Sequence, residues 1–190
     1  ANTDYQSLDS SPAQYKIKLG INTTKGLGAH LNPDIGSTSA IESSKDIKEM
    51  LRGADIVLIV AGLGAGTGTG ATSIVAQIAK ELNALTVSIV TRPLIVEGRK
   101  RTQRANQGTK EIERESDSVV EISNKALLAM PENKIGGIKE TFEFMDNILM
   151  YAVHTISNII ISQEDKHASF DTISAKTILS DGGLALMGIG

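Results

Sequence analysis

Cysteine is absent from the 190 residues, which excludes disulfide bridges and thiolate metal sites and fits a reducing compartment. Histidine occurs three times, at His30, His154 and His167, a scatter that offers no zinc-ligand spacing. No apolar run approaches the roughly 20 residues that a membrane-crossing helix needs, so no membrane insertion is predicted. Neither charge sign dominates: 19 basic residues stand against 22 acidic ones, a net charge of −3. That balance argues against a nucleic-acid surface. Aromatic residues make up only 3% of the chain. None is interleaved with the basic residues Arg99, Lys100 and Arg104, so this group lacks the stacking platforms of a single-strand binder and reads as a solvated helix face. No signal-peptide pattern is present, and the sequence does not begin with methionine, which predicts a span taken from a longer protein.

What remains is 41% hydrophobic and 22% charged, enough to bury a sizeable core in one domain or slightly more. Residues 1–13 are polar and turn-rich. Tyr15, Ile17 and Leu19 alternate with polar residues, the period of a half-buried strand. The stretch from Gly20 to Gly36, with four glycines and Asn32-Pro33, predicts a loop. Ser37 or Ser39 is placed to cap a helix running through Leu51, with Ile41, Ile47, Met50 and Leu51 facing inward. Strands are predicted at 55–61, 85–90 and 118–122, alternating with helices at 70–82 and about 97–115. The longest periodic segment, 136–161, carries Ile138, Phe142, Met145, Leu149, Ala152 or Val153, Ile156 and Ile160 at three- and four-residue steps. A short helix capped by Asp171 and a strand over LALMGIG follow, outside the first sheet. Strands alternating with helices argue for an α/β fold with a parallel sheet and ligands at the carboxyl ends of its strands.

The densest signal is residues 55–73. The apolar run Ile56 to Ala61 leads into Gly62, Gly64, Gly66, Gly68 and Gly70, with Thr67 and Thr69 between the last three. A helical pattern begins directly afterwards. Glycines let backbone N–H groups approach an anion with no Cβ in the way, and a helix N-terminus adds unpaired donors and a positive dipole end. The simpler alternative is a turn that only packs a helix on a sheet, which rarely needs more than one or two glycines. A Walker loop is excluded, because no lysine follows until Lys80. The dinucleotide fingerprint is excluded too, since strict alternation puts the third glycine one place early or late.

Gly64-Ala65-Gly66-Thr67-Gly68-Thr69-Gly70 resembles the GGGTGTG signature of the FtsZ and tubulin family, with Ala65 in place of a glycine. The flanks from Ala61 to Arg101 resemble the bacterial division GTPases more than the tubulins. The resemblance implies a Rossmann-like parallel sheet flanked by helices. Residues 1–135 would form the GTP-binding domain, 136–161 a central helix, and 162–190 a catalytic loop and the start of a second domain.

The resemblance also implies site residues. Asn2, Thr3 and Asp4 are similar to the NTD loop near phosphate and magnesium. Gly28 and Ala29, in Gly26-Leu27-Gly28-Ala29-His30, are similar to the loop that closes over the γ-phosphate, with His30 in place of a glycine. Gly64, Gly66, Thr67, Gly68, Thr69 and Gly70 would cradle phosphate. TRPLIVEGRKR resembles the sugar-side segment, bringing in Thr91, Pro93, Glu97 as acceptor for the ribose hydroxyls, and Arg101. A carboxylate suits two vicinal hydroxyl donors. Asn124 matches an asparagine on the ribose side, with Lys125 beside it where aspartate is usual. Phe142 and Asp146 are four residues apart on one helix face. There they would stack on guanine and accept its N1–H and N2–H.

Catalysis is implied at Asp171, in SFDTISA, which resembles the loop that enters the next subunit's nucleotide site. Ser169 and Ser174 stand there in place of asparagine and a second aspartate. The implied ligands are GTP or GDP with Mg2+, although no ligand cluster for the metal is visible. The implied partners are further copies, head to tail in filaments, and division-ring proteins at a cytoplasmic division site. The family's first strand and first glycine-rich turn, which precede the NTD loop, are not in this sequence. The resemblance therefore covers the middle of the family's core. Two rivals remain open: an assembly protein of the same fold without hydrolysis, and an NAD-linked enzyme, which has the wrong glycine spacing and no catalytic His or Tyr constellation.

Overall fold

The computed structural model describes residues 1–122, 138–161 and 183–187. In chain order they form α1 (Tyr5–Asp9), α2 (Ile21–Thr24), α3 (Pro33–Glu42), α4 (Ser44–Leu51), β1 (Ile56–Gly62), α5 (Thr67–Glu81) and β2 (Leu85–Thr91). A 3-10 turn (Ile95–Glu97), α6 (Arg99–Glu115), β3 (Ser118–Ile122), α7 (Ile138–Ile161) and β4 (Gly183–Met187) follow. The four strands lie in the order β1-β2-β3-β4 and every pair is parallel.

Side-chain alternation along the strands builds two cores. Leu85, Val87 and Ile89 of β2, with Val120 and Ile122 of β3, meet Met145, Ile148 and Ala152 of α7. On the opposite face Val90 and Val119 pack on Ala105 and Ile112 of α6, while Val57 and Ile59 of β1 pack on Ala76 and Ala79 of α5. The sheet is thus covered on both sides, as parallel sheets require. Strands β2 and β3 are buried almost end to end. Polar side chains buried in β2 have partners: the Ser88 and Ser116 hydroxyls lie 2.7 Å apart, and the Thr86 hydroxyl donates to the Ala84 carbonyl at 3.1 Å.

The strand-helix alternation from 55 to 122 and the long helix follow the pattern in the sequence. Four expectations are corrected. The segment around Tyr15–Leu19 is no strand but a single parallel bridge between Asn2 and Lys18, with Tyr15 exposed and Leu19 buried. The glycine-rich stretch after it is not all loop. It holds α2, and α3 begins at Pro33, with the Asn32 side chain accepting from the Asp34 N–H at 3.0 Å. Asn-Pro here is a helix start, because proline at the first turn gives up no needed donor.

The predicted helix through Leu51 breaks at Ser43 into two helices. That break resets the helical phase, so Ile47 is buried while Ile41 and Met50 point outward. Finally, β4 does not lie outside the first sheet; it pairs with β3 from Ser118↔Gly183 to Ile122↔Met187. An apolar run such as Leu184-Ala185-Leu186 suits a strand added beside another parallel strand. The predicted helix from Asp171 lies outside the described residues.

Candidate functional site

Three loops converge at the carboxyl end of β1. The first is Asn2–Asp4, the second Gly26–Asn32, and the third Gly62–Gly66 with the first turn of α5. The first two are tied by backbone bonds: Gly28 N–H donates to the Thr3 carbonyl at 3.1 Å and Tyr5 N–H to the Gly26 carbonyl at 3.1 Å. The first and third meet where the Thr3 and Thr67 hydroxyls lie 2.6 Å apart. Thr3 is fully buried, so this contact fixes the loop from beneath.

The alternating glycines have a packing reason that sequence reasoning assigned to the ligand. A Cβ on Gly66 would fall 2.6 Å from the Ala29 Cβ and 2.9 Å from the Asn32 carbonyl oxygen. One on Gly68 would overlap the Gly62 carbonyl, and one on Gly70 the Pro33 carbonyl. On α3, a Cβ on Gly36 would strike the Gly66 carbonyl. Helices α3 and α5 therefore touch backbone to backbone, with the Ser37 hydroxyl donating to the Gly70 carbonyl at 2.9 Å. Gly64 is different: its φ of 97° needs glycine for conformation. Its N–H donates to the Thr69 hydroxyl at 2.8 Å. Thr69, 1% exposed, is thus turned inward and holds the loop.

What this leaves open is the start of α5. Gly66 occupies its N-cap position and no side chain caps it. The first-turn N–H groups, which have no partner inside a helix, face a rim of half-exposed Ala65, Thr67 and Gly68. Donors without a capping side chain, at the positive end of a 15-residue helix, are matched chemically by an anionic oxygen such as a phosphate. Across the rim, His30 and Leu31 both adopt left-handed backbone, φ 47° and 61°. Two successive side-chain-bearing residues in that region are unusual. Helix α2, which precedes this loop in the chain, is anchored to α3 by Glu42, whose carboxylate accepts from the N–H groups and side chains of Asn22 and Thr23 at 2.7–3.0 Å. Those bonds, that of the Thr23 hydroxyl first, hold its pKa below the usual carboxylate value.

The third wall is the arc after β2. Thr91 pairs with Gly62 in register, and the Leu63 N–H donates to the Thr91 carbonyl at 2.9 Å. Pro93 and Arg101 press on Gly64, where a Cβ would lie 3.1 Å from the Pro93 Cγ and 3.0 Å from the Arg101 carbonyl oxygen. Within the arc, Glu97 accepts from the Leu94 N–H at 2.7 Å and forms an ion pair with Arg101. Its carboxylate is thereby oriented and keeps lone pairs for a further donor.

Gly28, Ala29, Gly64, Gly66, Thr67, Gly68, Thr69, Gly70, Thr91, Pro93, Glu97 and Arg101 thus belong to one neighbourhood. Asp146 stands exposed on α7, which packs on the sheet through Met145, Ile148 and Ala152. The side chain of Phe142, and the residues Asn124 and Asp171, lie outside the described part. Among the described residues no group of three or more His, Asp or Glu is placed to hold a metal, and no helix is long and apolar enough to cross a membrane. Magnesium characteristically keeps several waters and binds through one or two protein oxygens plus substrate phosphates, so hydroxyls beside a phosphate cradle are a compatible setting.

A three-layer α/β sheet whose glycine-rich turn opens a helix at the strand carboxyl ends defines a class of nucleotide-binding domain. Residues 1–132 match the Tubulin/FtsZ family, GTPase domain, and the chain belongs to that family. It is 47% identical over all 190 residues to the cell division protein FtsZ of Mycoplasmopsis pulmonis (strain UAB CTIP), covering 47% of that protein. Among solved structures it is similar to a mutant FtsZ from M. jannaschii, with TM-score 0.90 and 37% identity over 97% of this chain and 54% of that one. An empty FtsZ dimer from the same organism gives TM-score 0.89 at 37% identity, over 96% and 52%. CetZ2 from Haloferax volcanii, at 22% identity and TM-score 0.77 over 96% and 53%, shares the fold. The chain spans about half the length of the curated relative it matches.

Proposed function

We propose that this chain is the central part of a cytoplasmic GTP-binding protein that assembles head to tail into filaments at the division site. GTP would be hydrolysed where one subunit's Asp171 loop meets the next subunit's glycine cradle. One observation carries the reading: three loops converge on the uncapped start of α5, inside the span that matches the GTPase domain. In this reading the first-turn N–H groups of α5, with Gly64, Gly66 and Gly68, hold the phosphates. Gly28 and Ala29 close the γ-phosphate side, and Thr67 supplies a hydroxyl at the rim. Glu97 and Arg101 meet the sugar, with Thr91 and Pro93 setting the arc, and Asn124 lies on the ribose side. Phe142 and Asp146 recognise guanine. Residues 1–135 form the nucleotide-binding unit, to whose sheet β4 adds, 136–161 the central helix, and the segment that follows it the catalytic loop leading toward a second unit.

Phosphoryl transfer to water depends chiefly on positioning and charge stabilisation. Mg2+ bound with the nucleotide would neutralise developing phosphate charge. Asp171 would accept a hydrogen bond from the attacking water and orient it. Ser174, a hydroxyl where the family has a second carboxylate, polarises water less well. Self-association is supported by the FtsZ dimer among the similar structures. Division-ring partners follow from the name of the curated relative alone.

The test is GTP turnover and assembly by the intact protein, wild type against Ser174→Asp, alongside competition between GTP and NAD. Faster hydrolysis in the variant and displacement by GTP alone are expected. Assembly with no phosphate release in either form would favour a filament protein without hydrolysis. Displacement by NAD would overturn the reading.

A further inference from the structure

The strand β3 reads SVVEI, and all five residues are buried. A carboxylate in that setting costs several kcal/mol unless it is paired. Glu121, with its side chain 7% exposed, is paired with Arg92, whose Nη1 lies 3.0 Å from Oε1 and 3.2 Å from Oε2. The Thr109 hydroxyl of α6 sits 3.5 Å from Oε2, while its shorter bond goes to the Ala105 carbonyl at 3.0 Å. Arg92 is the first residue after β2 and the residue before Pro93. The pair therefore ties the root of the arc 92–101 to the middle of the sheet.

From that root the arc has little freedom. Pro93 follows at once and bears on Gly64, the Leu94 N–H is bonded to Glu97, and Glu97 pairs with Arg101, whose carbonyl also bears on Gly64. A second line runs from the same node: α6 carries Thr109 and, one residue earlier, Gly108, which packs on the Thr69 methyl of the cradle helix. The sequence signal was a lone acidic residue inside an apolar strand, and it had no place among the site residues inferred from family resemblance.

We infer that Glu121 is a positioning residue for the sugar side of the site, acting through Arg92 to aim the Glu97 carboxylate at the vicinal hydroxyls of a bound nucleoside triphosphate. The inference rests on the proposed sugar role of Glu97. Removing the Glu121 carboxylate takes away one tie at the arc root, while the phosphate cradle keeps its own backbone contacts and Thr109 its bond to the Ala105 carbonyl. The loss should therefore fall on the sugar and not on the phosphates.

The test compares GTP with 2′-deoxyGTP by calorimetry on the intact protein, for wild type, Glu121→Met, Glu121→Gln, Arg92→Met and the double Met variant. Wild type is expected to prefer GTP. Glu121→Met and Arg92→Met should each lose about tenfold in GTP affinity, the scale of one charge-assisted hydrogen bond. Their affinity for 2′-deoxyGTP should change little, so the preference collapses. The double variant should be no worse than either single one, and Glu121→Gln, which keeps an acceptor, should fall between. Parallel weakening toward both nucleotides, or an undiminished preference for GTP in the variants, would overturn the role of Glu121. No preference in wild type would overturn the sugar assignment of Glu97 itself. Should Glu121→Met fail to fold, Glu121→Gln and Arg92→Met give the same ratio.

Discussion

The two sides of the site are built on opposite principles. The phosphate side is backbone against backbone: Gly66 on Ala29 and Asn32, Gly68 on Gly62, Gly70 on Pro33. The sugar side is charge against charge: Glu97 with Arg101, and Arg92 with Glu121. The first arrangement has no room for a methyl group but carries no charge to titrate or screen. The second leaves open space at Gly98 but depends on four ionised groups. Sensitivity to shape and sensitivity to charge should therefore separate cleanly between the two sides.

The strongest challenge to that contrast is Gly70→Ala. Its methyl would overlap the Pro33 carbonyl, so α3 must move away from α5 at a cost of about 1–3 kcal/mol, the range for overpacked cores. Thermal denaturation should show a lower Tm and nucleotide titration a loss of binding. A variant as stable as wild type would break the packing account. Next comes Glu97→Gln, which should lower GTP affinity by roughly tenfold with little change in Tm, as expected for a lost charge-assisted bond. Calorimetry and melting on one sample decide it.

A gain is expected at Leu31→Gly. Glycine accepts the left-handed φ of 61° that leucine holds at a cost, so the substitution should raise stability, or be neutral once the greater freedom of the unfolded chain is counted, within about 1 kcal/mol. A loss clearly beyond that range would show that the leucine side chain, exposed as it is, holds the loop. The smallest effect concerns Glu42. Its folded pKa is depressed by bonds from Thr23 and Asn22, so its contribution is present above the ordinary carboxylate pKa and disappears as pH falls through the lowered folded value. The Tm difference between wild type and Glu42→Ala should be visible at neutral pH and vanish in acid.

These contrasts also explain what could be read from the sequence. Strands β1 to β3, helices α5 and α6 and the long α7 were legible because hydrophobic period and helix length are local properties. The break at Ser43 was not, since nothing in Ser43-Ser44 distinguishes a junction from a continuous helix. The site's location was legible from glycine spacing, but the reason for that spacing was not. A Cβ forbidden by Pro33 at Gly70, or by Ala29 at Gly66, depends on a neighbour 37 residues away in the chain. Arg92 and Glu121, 29 residues apart, were missed for the same reason, since each alone reads as an ordinary charge. The pairing of β4 with β3 was missed because register between distant strands is set by the free edge that β3 offers, which no local pattern records.

The seam between α3 and α5 has a mechanical consequence. Where helices meet through side chains, a small displacement can be absorbed by a change of rotamer. Along Gly36, Gly66 and Gly70 there is no side chain to rotate, so the two backbones behave as a keyed joint without backlash. Any push on the Ala29–Asn32 segment passes to the first turn of α5 undiminished, and anything seated on that turn pushes back on the loop just as stiffly.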